Sequence, residues 1–281
     1  QRQMCIRDSI ILCMTDDQGW GDTGYNGHPV LRTPHLDQMA KDGLRFERFY
    51  SGAPVCSPTR GSCVTGRHPY RYGIFFANGG HIKKEEVTLA EALKPLGYAT
   101  GHFGKWHLGT LTTKIKESNR GAPGRTGGLR GRKRSLYEGG VRVPGLLVWP
   151  ARIKAARTVV IPCGTSDYFP TVMDALGYPM SDAARRPYDG VSLLPVIDGL
   201  VEERHRPIAF ESKGSVSLTD NRYKLIREPG KRYELYDLIE DPRERNDLSG
   251  AHPGILAKMG ETLDAWRDSC RKSLRGEDYP I

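Results

Sequence analysis

Apolar runs and turn residues divide the chain into two differently patterned parts. Ile10-Ile-Leu-Cys-Met14 is a continuous apolar run that leads into Thr15-Asp16-Asp17 and a glycine-bearing loop, and it predicts a buried parallel-type strand ending in two carboxylates. Thr33-Pro34 supplies an N-cap and a first-turn proline for a helix through about Lys41, which Gly43 closes. Leu44 to Tyr50 alternates as a strand, and Cys56 to Thr65 reads as a helix with Pro58 in its first turn and Gly66 as its stop. A helix over Val87 to Leu96, strands over Tyr98 to Phe103 and Val143 to Trp149, and a helix from Asp167 to Leu176 complete this part. After about Pro207 the pattern becomes short strands, Ile208 to Glu211, Val216 to Thr219, Tyr223 to Arg227 and Tyr233 to Leu238, followed by a helix from about Ile255 to Arg271. The expected architecture is α/β: a mostly parallel sheet flanked by helices over residues 1–206, with a small antiparallel sheet and a terminal helix over 207–281.

Composition narrows the function classes. The 281 residues are 38% hydrophobic and contain no segment near the roughly 18 uninterrupted apolar residues of a helical membrane span. Six cysteines with no CxxC spacing exclude a disulfide scaffold and make thiol-bound zinc a poor expectation. The net charge of +9 is local: Lys114 to Arg134 nets +7 and the remainder only +2. That stretch lacks the interleaved aromatic side chains of a nucleic-acid platform, so nucleic acid is not expected as a partner. Its charges serve either a solvated loop or an anion. Gln1 to Ser9 carries Arg2, Arg7 and Asp8, and the apolar run after it is too short for a signal peptide, so no export signal is legible.

Three sites carry candidate chemistry. Adjacent carboxylates at a strand end repel each other unless a cation lies between them, so Asp16 and Asp17 point to a hard ion, Ca²⁺ or Mg²⁺, or else cap a turn. Cys56 begins a helix with Arg60 one turn on, which suits an oxyanion held by backbone amides and a guanidinium; the bland alternative is a buried small hydrophobe. A thiol phosphatase would place arginine six residues after the cysteine, where this chain has Ser62. Lys105 and His107, two apart after an apolar strand, share a face and suit an anion clamp with a proton donor, or simply flank a packed Trp106.

In order and spacing, these segments resemble the sulfatase family of the alkaline-phosphatase superfamily. The resemblance rests on Asp16-Asp17-Gln-Gly-Trp-Gly, on Cys56-Ser-Pro-Thr-Arg60 with Thr65-Gly66-Arg67, and on Gly97-Tyr-Ala-Thr-Gly-His-Phe-Gly-Lys-Trp-His-Leu-Gly109. Lys133-Arg-Ser-Leu-Tyr137-Glu-Gly-Gly-Val-Arg-Val-Pro144, Leu218 to Leu225 and Tyr233 to Leu238 extend it. It implies an alkaline-phosphatase-like fold and hydrolysis of sulfate monoesters on a small molecule or carbohydrate. It also implies that a formylglycine-generating enzyme oxidises Cys56 to formylglycine, whose hydrate is the nucleophile. Asp16, Asp17 and the modified Cys56 would bind Ca²⁺, with Mg²⁺ as an alternative. Arg60, Lys105 and Lys133 would stabilise negative charge, and His107 would contact the hydrate or help the covalent sulfate collapse. Family members are periplasmic, secreted or lysosomal.

The chain departs from the family pattern after Gly109. The long central segment is absent, no histidine occurs between His107 and His205, and the nearest counterpart of the family's Asp-Asn-Gly cation element is Asn119 followed by Arg120. Arginine beside a divalent ion repels it and offers no acceptor. Two rival readings follow: a phosphodiester or phosphonate ester hydrolase, and an inactive sulfatase-like binding protein.

Overall fold

The computed structural model describes residues 9–77, 79–109, 125–178 and 186–279. Helix α1 (Pro34–Asp42) leads into β1 (Leu44–Tyr50), and the next helix, α2 (Cys56–Thr65), follows after a five-residue turn. A short α3 (Leu89–Leu93) continues as a 3-10 turn over Lys94–Leu96, and its start is fixed by a reciprocal capping box between Thr88 and Glu91. Then come α4 (Glu138–Val141), β2 (Arg142–Leu147), β3 (Arg157–Val159), β4 (Cys163–Gly164), α5 (Tyr168–Ala175) and α6 (Leu194–Ile197). The last third consists of β5 (Ile208–Ser212), β6 (Ser215–Thr219), β7 (Tyr223–Arg227), β8 (Glu234–Asp237) and the long α7 (Pro253–Leu274). No helix among the described residues is long and apolar enough to cross a membrane.

β1 is the centre of a mixed sheet. On one side it pairs antiparallel with β2, Leu44 opposite Leu147, with a register shift between Phe46 and Phe49. Its other side pairs parallel with β3 and, further along, with β4. Leu44, Phe46 and Phe49 pack with Val159, Ile161 and Leu193 in the core over this sheet. The second sheet is an antiparallel meander in the order β5-β6-β7-β8. α7 covers one face of it by burying Met259 and Leu263 on Val216, Leu218, Leu225 and Leu235. The other face shares a core with the first sheet, where Tyr50 and Val141 meet Phe210, Ile226 and Tyr236.

Two predicted strands are absent from this sheet. Residues 10–14 run as irregular backbone with Ile11 80% exposed, and residues 98–103 do the same with Phe103 94% exposed. A strand persists only where a neighbour takes its amides and carbonyls, and neither segment pairs with β1, β2, β3 or β4.

α7 also fastens the two parts of the chain together. Asp189, just before α6, accepts from Arg71 Nε at 2.7 Å, from the His68 amide at 2.5 Å and from Trp266 Nε1 of α7 at 2.7 Å. Arg71 Nη1 donates to Ser269 and Ser273 of the same helix at 2.9 and 3.1 Å. Arg67 is fully buried between Glu86 at 3.0 Å and Asp278 at 2.5 Å.

Candidate active site

α2 begins at Cys56 after an extended Val55, and Gly66 ends it in the left-handed conformation at φ 68°. The helix is seated by its own polar side chains. Thr59 Oγ1 donates towards the carbonyls of Ala53 at 2.7 Å and Val55 at 2.8 Å, and Ser62 Oγ lies 2.8 Å from Thr165 Oγ1. Thr165 Oγ1 in turn accepts from the Gly52 amide at 2.9 Å. Gly61 lies against Tyr72, where a Cβ would overlap the phenol oxygen. Cys56 is therefore held rigidly, with only 7% of its surface exposed.

Around it lies a cleft of about 140 Å³ lined by Asp16, Asp17, Cys56, Thr59, Lys133 and Tyr168, among others. Arg60 stands one turn along α2 from Cys56, its Nη1 donating to the Lys105 carbonyl at 2.6 Å and its Nη2 3.7 Å from Asp16 Oδ2. Lys105 Nζ donates to the same Asp16 oxygen at 2.9 Å, and Lys133 Nζ donates to Asp17 Oδ2. Partial burial by itself would raise the Asp16 carboxyl, but the Lys105 hydrogen bond and the charges of Lys105, Arg60 and Lys133 outweigh it and hold it below its usual value. Burial likewise opposes the Lys105 ammonium, yet its bond to Asp16 and the neighbouring Cys56 and Asp16 raise it above the ordinary lysine value.

The structure thus brings six expected residues together: Asp16, Arg60 and Lys105 in one ion-pair network, Asp17 with Lys133 beside it, and Cys56 lining a cleft with Asp16, Asp17 and Lys133. His107 is placed differently from the expectation. Residues 105–107 lie on irregular backbone, and His107 has φ 56°, so strand alternation does not put it on the Lys105 face; it is not among the side chains lining the cleft. Asn119 lies outside the described residues. Thr165, which braces both Gly52 and Ser62, went unnoticed in the sequence. It follows the two-residue β4 at the carboxyl end of a parallel pairing, the place where α/β sheets gather their functional groups, but two residues give no readable periodicity.

Lys133 reaches Asp17 because its loop is tightly folded. The Arg134 amide donates to the Pro54 carbonyl at 2.9 Å, and the Gly139 amide donates to Arg130 O at 2.7 Å. Gly139 and Gly140 lie directly on this loop, where a Cβ at Gly140 would overlap the Ser135 carbonyl oxygen.

Two family profiles match in tandem: Sulfatase over residues 8–127 and N-sulphoglucosamine sulphohydrolase, C-terminal, over residues 131–268. The chain belongs to the sulfatase family. Human arylsulfatase A is 47% identical over 106 residues, 36% of this chain and 21% of that protein. Mouse N-acetylgalactosamine-6-sulfatase is 44% identical over 113 residues, 36% of this chain and 22% of that protein. The sulfatase-family chain therefore spans about a fifth of the length of the curated relatives it matches. Solved structures share its fold at low identity. A sulfatase from Pseudoalteromonas sp. superposes with a TM-score of 0.75 at 16% identity, covering 94% of this chain and 89% of that one. The phosphonate monoester hydrolase of Agrobacterium radiobacter gives 0.65 at 13%, covering 91% and 95%.

Calcium takes about six to eight oxygen ligands. Asp16 and Asp17 offer two carboxylates, and both are already bound by ammonium groups. No group of three or more His, Cys, Asp or Glu side chains placed to hold a metal occurs among the described residues. The described donor set does not fit calcium.

Proposed function

We propose that the site is that of a sulfuric ester hydrolase, with Cys56 as the precursor of its nucleophile. The observation that carries this reading is that Cys56 shares a cleft with Lys133, Asp16 and Asp17, while Arg60 and Lys105 stand behind it on Asp16. Oxidised to formylglycine by a formylglycine-generating enzyme, the residue would offer a hydrate with two hydroxyls: one attacks sulfur as the ester S–O bond breaks and the alcohol leaves with a proton, and the other loses its proton to re-form the aldehyde and expel sulfate. The chain's own residues perform the rest. α2, pinned by Thr59 and by the Ser62 to Thr165 contact, fixes the direction of attack. Lys105 and Lys133 neutralise the sulfonyl oxygens as charge grows on them, and Arg60 holds the Lys105 backbone in place through its carbonyl. A sulfated carbohydrate is the substrate class we favour, since a neighbouring structure of similar fold is described with D-glucosamine-2-N,6-O-disulfate as its substrate.

The fold likeness to a phosphonate monoester hydrolase supports a second reading, in which the same nucleophile attacks phosphorus. Mass spectrometry of the tryptic peptide containing Cys56 tests the nucleophile; the expected result is an aldehyde in place of CH₂SH. Parallel assays with an aryl sulfate and an aryl phosphonate test the substrate. Faster sulfate turnover supports the proposal, whereas equal or faster phosphonate turnover replaces it with the second reading.

A further inference from the structure

We infer that Asp16 and Asp17 act as internal counter-charges for an oxyanion pocket that works without a divalent cation. This rests on the oxyanion reading of the cleft and changes what its acidic pair is for. The argument begins with charge. Five fixed charges meet here, Arg60, Lys105 and Lys133 against Asp16 and Asp17, so the cluster nets one positive charge with the pocket empty of ligand. A divalent cation would raise that excess to three, and it would have to pull both carboxylates away from ammonium groups already in hydrogen-bond contact. A sulfate dianion entering the same space would leave one negative charge, and it gains the lysines that the carboxylates release.

Geometry supports the same conclusion. Asp16 Oδ2 is shared by Lys105 Nζ at 2.9 Å and Arg60 Nη2 at 3.7 Å, so its accepting oxygen faces two cations. Arg60 is kept in that position by its bond to the Lys105 carbonyl, which ties guanidinium and ammonium into one unit. Asp16 has φ 62°, in the left-handed region that a short polar side chain such as aspartate tolerates. Lys133 arrives from a loop fixed to Pro54 and wrapped on Gly139 and Gly140, so its partnership with Asp17 is built into the backbone. No third acid stands within this group among the described residues.

Carboxylates and an incoming oxyanion then compete for the same lysines. Removing a carboxylate charge strengthens anion binding, and removing a lysine frees a carboxylate for a cation. Calorimetric titration of the intact chain with calcium chloride and, separately, with sodium sulfate at constant ionic strength tests this. For the unaltered chain the expected calcium Kd is about 1 mM or weaker, the range of low-affinity sites, and sulfate binding is unchanged by EDTA. Asp17→Asn tightens sulfate about tenfold, the size of one charge-assisted hydrogen bond regained. Lys133→Met tightens calcium by a similar factor. Asp16→Asn provides a second arm, and circular dichroism of each variant verifies folding. A calcium Kd below about 10 μM, sulfate binding abolished by EDTA, or weaker sulfate binding in both aspartate variants overturns the inference. Absence of the aldehyde at position 56 would overturn the hydrolase reading alone, because these titrations do not require it.

Discussion

Replacing Lys224 by methionine probes how the two sheets are joined. Lys224 lies on β7 with no exposed surface, its Nζ 2.9 Å from Glu138 Oε1 and 3.1 Å from Glu244 Oε1, both carboxylates being equally buried. Glu138 keeps other partners when the lysine is removed, namely the Tyr50 hydroxyl at 3.0 Å and Arg142 at 3.7 Å. Glu244 keeps the Glu138 amide at 2.7 Å. Breaking a buried ion pair from one side costs about 3–5 kcal/mol, because an uncompensated charge remains. In a chain of this size that lowers Tm by on the order of 10 °C.

The pH dependence has a definite sign. Burial and the charge of Glu138 outweigh the attraction of Lys224 and push the Glu244 carboxyl up to about 7. A carboxyl raised in the folded state adds stability below its unfolded value near 4.5, and that contribution is lost as pH rises through about 7. Without Lys224 it rises further, so the difference between variant and parent grows from pH 5 to pH 8. Urea denaturation at both pH values measures it. A loss below about 1 kcal/mol at pH 8, or one that does not vary with pH, would refute the argument. Lys224→Met combined with Glu244→Gln should recover much of the loss, since no excess buried charge remains.

Cys56→Ala should abolish ester turnover while leaving the urea midpoint nearly unchanged; retained turnover would place the chemistry elsewhere. Gly140→Ala forces a methyl group into the Ser135 carbonyl and displaces the Lys133 loop, so kcat/KM for an aryl sulfate should fall about 100-fold, the effect of a misplacement near 1 Å. Asp189→Asn leaves Arg71 without its carboxylate and should cost about 3–5 kcal/mol by urea denaturation. In the parent, Arg71 and His68 overcome burial and hold Asp189 well below the carboxylate range, so its contribution is present above about pH 4 and fades as acid protonates it. An acid titration of stability in the asparagine variant should therefore be flatter than in the parent.

Elements with their own start and stop signals were readable from the sequence. Thr33-Pro34 and Gly43 bound α1 to within a residue, Gly66 ends α2 where expected, and the short strand expected over Tyr223 to Arg227 matches β7. The sheet was less readable. Ile10 to Met14 and Tyr98 to Phe103 are apolar enough for strands, but strand formation depends on backbone partners supplied from elsewhere, and neither segment pairs with a strand of this sheet. β2 turned out antiparallel to β1, because direction is set by the path of the chain and leaves no mark on the residues. α4 was hidden by its two glycines, and β3 and β4 by their brevity. At the site, Asp16, Asp17, Cys56, Arg60 and Lys105 were singled out by residue type and position and Lys133 by the family resemblance. Which carboxylate meets which lysine was not readable, since it depends on how a loop more than 100 residues away folds back.

The clasp between α7 and the segment just past α2 sets an order of events during synthesis. Arg71 waits for Ser269 and Ser273, and Arg67 for Asp278, roughly 200 positions later. At about 5–20 residues per second the ribosome needs roughly 10–40 s to deliver them. For that interval the Arg67 to Arg71 segment just past α2 lacks its final tether. A chain truncated before Ser269 would therefore lose the Ser269, Ser273 and Asp278 contacts together.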